Sequence, residues 1–257
     1  MDWNPALYTR FEDERTRPAA ELLARVALQA PQRVFDLGCG PGNSTELLVG
    51  RWPEAQVTGT DNSPAMLEAA RKRLPGLRFE LGDIADWQPA SPPDLVYANA
   101  SLQWIPGHEQ LLPRLFASVA PGGALAVQMP DNLDEPSHRL MREVAADPRF
   151  APYAAEASGA RALILSASAY YDLLAPTAQQ VDVWRTTYHH RLGSPADIVQ
   201  WLRSTGLKPF VEALPAALQP EYLAAYEERI AQAYPARSDG SRLLAFPRLF
   251  IVAQRKT

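Results

Sequence analysis

The stretch RVFDLGCGPGNS, residues 33–44, sets a short apolar run directly before three glycines spaced by one residue. Few architectures accept that order. It reads as a buried strand ending at Asp36, a glycine turn, then a helix opened by Asn43 or Ser44, with Leu47, Leu48 and Trp52 on its apolar face. The pattern then repeats. QVTGTD is a second strand ending in Asp61, and SPAMLEAARKRL is a helix with Ser63 as N-cap and Pro64 at the first helical position. Further strands are expected over 77–83, 93–99 and 124–129, with a helix near 108–118. Short apolar strands alternating with helices predict a doubly wound α/β fold with a mostly parallel sheet, and in such sheets ligands bind outside the carboxyl ends of the strands.

Beyond residue 130 the period changes. Helices are expected over 136–146, 161–175, 195–205 and 219–234. QQVDVWRTTYHHRL alternates as a strand over 179–193, and RLLAFPRLFIVAQR closes the sheet over 242–255 as the last of seven strands. Pro247 favours an edge or bulged position there. The expected organisation is therefore one domain, 1–257: an N-terminal lid segment 1–31, a ligand-binding core 32–130, and helical insertions 131–178 and 194–236 forming a cap.

Composition narrows the function. With one cysteine, Cys39, and four histidines lacking HxxxH or HxH spacing, neither an internal disulfide nor a dedicated metal site is expected. A net charge of −4 disfavours a nucleic-acid partner. No apolar run suits a membrane span or a secretory signal, so a cytoplasmic protein, monomeric or weakly homodimeric, is expected.

Spacing decides what the glycine loop holds. A GxGxxG dinucleotide fingerprint needs glycine at position 43, where Asn43 stands, and a P-loop needs Gly-Lys-Ser/Thr, which GNS does not supply. Asp36 before the loop repels a pyrophosphate but attracts an ammonium.

The order acid, x, Gly, x, Gly, x, Gly at Asp36, Gly38, Gly40 and Gly42 resembles the first motif of the class I S-adenosylmethionine-dependent methyltransferases, whose Rossmann-like fold matches the alternation above. That resemblance implies S-adenosylmethionine as cofactor. It places Asp61 on the ribose hydroxyls, Asn62 and Met66 on the adenine side, Asp83 and Ile84 as the adenine-binding pair, and Asn99 and Ser101 beside the cofactor at the fourth strand's end. Methyltransferases acting on base or amide nitrogens typically carry Asn/Asp-Pro-Pro-aromatic at that last point. Here Asn99-Ala-Ser stands instead, which shifts the acceptor towards a small molecule.

The segments DWNPALYTRFEDERTRPAAELL, NASLQWIPGH, VDVWRTTYHHRL and LLAFPRLFIVAQR resemble, essentially end to end, the trans-aconitate methyltransferase family. The resemblance implies methyl transfer to a carboxylate of a small tricarboxylate. A carboxylate is already ionised at neutral pH, so no catalytic base is nominated. Candidate substrate residues are Trp104 as a chamber wall and Arg10, Arg17, Tyr171, His190 and Arg248 as donors, with Tyr8 and Phe11 closing over the cofactor. A methyltransferase for another small acid, a non-catalytic S-adenosylmethionine-binding protein and a nucleotide-dependent dehydrogenase are the competing readings.

Overall fold

The computed structural model describes residues 12–203 and 205–257, so Tyr8, Arg10 and Phe11 lie outside the described residues. Their chain order is α1 (Glu12–Ala24), β1 (Arg33–Leu37), α2 (Asn43–Arg51), β2 (Gln56–Asp61), α3 (Pro64–Arg73), β3 (Arg78–Leu81), β4 (Leu95–Asn99), α4 (His108–Ser118) and β5 (Ala124–Pro130). Then follow α5 (Pro136–Ala145), α6 (Ala151–Ala154), α7 (Ala167–Leu174), β6 (Ala178–Leu192), α8 (Pro195–Arg203), α9 (Lys208–Ala213), α10 (Gln219–Ala233) and β7 (Arg242–Arg255). The strands form one seven-stranded sheet in the order β3-β2-β1-β4-β5-β7-β6.

β1 pairs in parallel with β2 and with β4, β2 with β3, and β4 with β5. The strand order therefore reverses between β1 and β4, the point where a doubly wound sheet opens a crevice at its carboxyl edge. β7 runs the other way. The Gly123 carbonyl accepts from the Arg255 amide (2.8 Å) and the Pro247 carbonyl from the Asp131 amide (2.9 Å), so the numbering descends on one strand as it ascends on the other. Pro247 does not mark an edge, because β7 lies between β5 and β6 and the edge is β6.

The chain divides into two compact units. Of the described residues, one comprises 12–130, 164–186 and 249–257; the other comprises 131–163, 187–203 and 205–248. In the first, alternation along the strands sorts side chains to two faces. Val96 and Ala98 of β4, Leu125, Val127 and Met129 of β5, and Leu249, Ile251 and Ala253 of β7 share one buried cluster with Leu111, Leu112, Leu115 and Phe116 of α4 and Tyr170 and Leu174 of α7. Tyr97 points to the other face, where its hydroxyl donates to the Ala19 carbonyl of α1 at 2.6 Å.

In the second unit α10 packs on α5 and α8. Its buried tyrosines all spend their polar ends: Tyr222 donates to the Met141 carbonyl (3.0 Å) and Tyr226 to the Ser137 carbonyl (2.8 Å). A helix expected over 161–175 begins only at Ala167, where the Ser166 hydroxyl accepts from the Ala169 amide at 3.2 Å. Residues 164–178, expected within an insertion, belong to the sheet unit because Tyr170 and Leu174 bury there. Helix α9, over Lys208–Ala213, was not expected. Among the described residues no helix is long and apolar enough to cross a membrane.

Candidate active site

Gly38, Gly40 and Gly42 all adopt positive φ (73°, 55° and 92°). The loop they form is fastened to the end of β2. The Gly38 and Cys39 amides donate to the Thr60 carbonyl (2.7 and 3.0 Å), and the Gly40 amide donates to Asp61 Oδ2 (2.8 Å). A Cβ at Gly38 would lie 2.3 Å from Ser101 Cβ and 3.4 Å from Ile84 Cδ1, whereas one at Gly40 would meet nothing within 4 Å among the described residues. The loop is thus closed against the β3 and β4 ends at Gly38 and open at Gly40.

Asp36 is fully buried, and its Oδ2 accepts from the hydroxyls of Ser44 and Thr45 in the first turn of α2, both at 2.7 Å. Among the described residues Oδ1 has no hydrogen-bond partner. Burial raises this carboxyl to about 6, opposed by the Thr45 and Ser44 hydrogen bonds and assisted by the Asp61 charge. A buried carboxylate oxygen left bare is costly, and a ligand ammonium is one group that could satisfy it. Asp61 is also buried and is raised by desolvation, though the Ser63, Gly40 and Asn62 amides pull it back. Its Oδ1 accepts from the Ser63 amide at 2.9 Å, and the Ser63 hydroxyl from the Met66 amide at 3.4 Å, so a single chain of bonds sets loop, strand end and helix start. Asn62 is exposed and Met66 buried.

After β3, Asp83 is exposed with Oδ1 accepting from the Ala85 amide (2.8 Å), while Ile84 is buried against the Gly38 position. What holds this turn is absent from the sequence motif. Arg114 of α4 donates to the carbonyls of Trp87 (2.6 Å), Ile84 (2.9 Å) and Ala85 (2.8 Å). Three charge-assisted bonds from one guanidinium fix the carbonyl side of the Asp83–Trp87 turn. Arg114→Met is expected to weaken S-adenosylmethionine binding about 10-fold, measured by calorimetry; unchanged affinity would show that the turn holds itself.

Beyond β4, Ala100 takes φ 54°, a left-handed conformation that costs an alanine roughly 1 kcal/mol. Its amide donates to the Gln128 carbonyl (2.8 Å) and its carbonyl accepts from Gln103 Nε2 (2.7 Å). That bond fixes the Gln103 amide orientation and leaves its buried Oε1 without a partner among the described residues. The Ser101 hydroxyl donates to the Leu37 carbonyl at 2.8 Å. His108 supports the short turn from Leu102 to Trp104: Nε2–H donates to the Leu102 carbonyl (2.9 Å), leaving Nδ1 to accept from the Tyr170 hydroxyl (2.5 Å). Trp104 itself is half-buried.

The structure therefore gathers Asp36, Gly38, Gly40, Asp61, Ile84 and Ser101 at the carboxyl end of the parallel strands. Among the described residues the buried side-chain atoms without partners there are Asp36 Oδ1, Asn99 Oδ1 and Gln103 Oε1, all acceptors, and the Thr60 hydroxyl, which can accept or donate. The three acceptors suit a ligand that brings donors and positive charge, as the ammonium and hydroxyls of S-adenosylmethionine do.

The substrate candidates distribute unevenly. Arg17 of α1 is 68% exposed and pairs with Glu21 at 2.9 Å, and Tyr171 of α7 is 50% exposed. His190 and Arg248 are buried in the second unit beside Phe246, whose ring centroid lies 5.8 Å from that of His190 and 5.0 Å from Arg248 Cζ. Sequence reasoning did not single out Arg161 or Asn132, which share this second unit.

Fold and site define a methyltransferase of the S-adenosylmethionine-dependent class. Residues 34–123 match a family model described as a methyltransferase domain. Solved structures agree on the fold: the YcgJ protein of Bacillus subtilis (TM-score 0.59, 12% identity, 94% of this chain and 99% of that one), and a phosphoethanolamine N-methyltransferase of Haemonchus contortus solved with S-adenosyl-L-methionine (TM-score 0.56, 15% identity, 94% and 53%). The chain is 65% identical to trans-aconitate 2-methyltransferase of Variovorax paradoxus over 100% of its length and 99% of the relative's, and 57% identical to that of Yersinia pestis over 98% of each. It belongs to the trans-aconitate 2-methyltransferase family.

Proposed function

We propose that this chain transfers a methyl group from S-adenosylmethionine to one carboxylate of trans-aconitate, giving a monomethyl ester and S-adenosylhomocysteine. The observation that carries the reading is full-length similarity at 65% identity to a relative of that name. The bare buried acceptor of Asp36 supports the cofactor half of it.

S-adenosylmethionine supplies an electrophilic methyl group on a cationic sulfur; the remaining requirements fall on the chain. Asp36, Gly38, Gly40 and Gly42 would hold its methionine portion, Asp61 its ribose, Asn62, Met66, Asp83 and Ile84 its adenine, with Asn99 and Ser101 beside them. The acceptor oxygen is ionised already, and it bonds the methyl carbon as the carbon–sulfur bond breaks, with no proton to move. Catalysis then rests on alignment and exclusion of water, worth up to roughly 7–11 kcal/mol in well-oriented systems. The substrate contacts proposed are Trp104, Tyr171, His190 and Arg248, with Arg10 and Arg17 from the N-terminal segment. The same reading takes a small molecule as sole partner, no nucleic acid, a cytoplasmic location suited to a lone thiol, and a monomer or weak homodimer.

Methyl transfer assayed against trans-aconitate, cis-aconitate, citrate and isocitrate tests the substrate. An ester with trans-aconitate is expected, and its absence would remove the reading.

A further inference from the structure

Gln103 stands two residues beyond Ser101 with an amide oxygen that no role above uses. The residue is 3% exposed; its Nε2 donates to the Ala100 carbonyl at 2.7 Å, and its Oε1 has no partner among the described residues. The amide cannot turn over, because exchanging its ends would set two carbonyl oxygens against each other. Its support is equally fixed. The Ala100 amide donates to the Gln128 carbonyl (2.8 Å), the Ser101 hydroxyl to the Leu37 carbonyl (2.8 Å) and His108 Nε2–H to the Leu102 carbonyl (2.9 Å). The same turn reaches the glycine loop, since Ser101 Cβ stands 2.3 Å from the Cβ position at Gly38. Clamping the Ala100 carbonyl needs only a donor. The buried acceptor at the other end of the amide carries a desolvation cost that the clamp does not require, and a ligand is what offsets it.

The chemistry of a bare amide oxygen decides which part of which ligand it meets. A substrate carboxylate is excluded, because both oxygens would be acceptors and neither would donate. The ammonium of S-adenosylmethionine is already matched by the charged oxygen of Asp36 at the end of β1. The remaining positive centre is the sulfonium, which has no N–H or O–H and instead polarises the C–H bonds of its substituents. A carboxylate is unsuited to that place, being a nucleophile that the methyl group would alkylate. A neutral amide oxygen presents the negative end of a dipole and competes little for the methyl. Resting on the cofactor half of the function proposed above, we propose that Gln103 Oε1 is the contact for the sulfonium charge of S-adenosylmethionine and so distinguishes the methyl donor from its product. S-adenosylhomocysteine, a neutral thioether, leaves the oxygen desolvated and unsatisfied again. The residue therefore acts on donor specificity and product release and takes no part in bond making.

The test is calorimetric binding of three ligands to wild type and to Gln103→Met: S-adenosylmethionine, S-adenosylhomocysteine, and the analogue in which a primary ammonium replaces the methylsulfonium. Losing one contact to a charged group corresponds to about 10-fold in affinity. Gln103→Met is expected to weaken the two ligands charged at that position by about this factor and the thioether by less than about 2-fold. Gln103→Glu, which keeps an acceptor but loses the donor to Ala100, is expected to keep the preference for the charged ligands. Equal losses for all three ligands would mean that Gln103 serves the turn or the ammonium, and would overturn the proposal, as would unchanged binding. Gln103→Met/Ala100→Gly is the variant to read if the single replacement does not fold, because glycine holds φ 54° without a clamp. Wild-type protein that binds none of the three would overturn the cofactor reading itself. Failure to form an ester from trans-aconitate would remove only the acceptor reading, and the binding comparison would still decide the role of Gln103.

Discussion

Gly38→Ala is expected to abolish measurable S-adenosylmethionine binding, a loss of at least about 100-fold, and to lower the melting temperature. Two costs combine. An alanine at φ 73° is strained by roughly 1–2 kcal/mol, and its Cβ would stand 2.3 Å from Ser101 Cβ, a backbone-anchored atom that cannot swing aside. Relieving that overlap by moving the turn after β4 costs about 1–3 kcal/mol and displaces the residues that wall the crevice. Ser101→Gly removes the overlapping atom, so the Gly38→Ala/Ser101→Gly pair is expected to melt higher than the sum of the single effects allows. Strictly additive losses in melting experiments would show that the close approach of loop and β4 is not what glycine serves.

Asp36→Asn is expected to stabilise the ligand-free protein at pH 8 while weakening cofactor binding about 10- to 100-fold. The folded carboxyl sits at about 6 against an ordinary 3.8, so the folded state holds this proton more tightly than the unfolded chain does. Its contribution to stability is complete below about pH 4 and is lost as pH rises through 6, a loss of ~3 kcal/mol. Asparagine keeps the shape without the ionisation. The gain of the variant over wild type should therefore be largest at pH 7–8 and vanish towards pH 4, read from melting curves across that range. Equal melting temperatures at pH 8 would mean that the buried charge imposes no such penalty. A variant that is more stable yet binds the cofactor less would mark Asp36 as kept for the ligand.

Much of the fold was legible because it rests on local periodicity. β6 and β7 lie within a residue of the expected strands at both ends, and α4 begins and ends as expected. The boundaries that moved have local causes of another kind. Residues 161–166 lack helix because the chain caps at Ser166, and 164–178 joins the sheet unit because Tyr170 meets His108, a partner 62 residues away that no window of sequence reveals. Of the two positions that Pro247 favoured, edge or bulge, the edge is ruled out by the strand order, because sequence shows the missing amide hydrogen but not which strands flank it.

The sequence by itself determined the alternation of strands and helices, the glycine loop with its unsuitability for phosphate, and the family, since these follow from short-range pattern and from spacing. Tertiary structure alone decided which side chains support the motif and how. It turned Asp36 towards Ser44 and Thr45 with one oxygen bare, laid Ser101 and Ile84 against Gly38, sent Arg114 across 30 residues to the Ile84 carbonyl, and set Arg161 on Asn132. Hydrogen bonds and desolvation act over a few ångströms regardless of chain separation, so only folded coordinates bring these groups within range of one another.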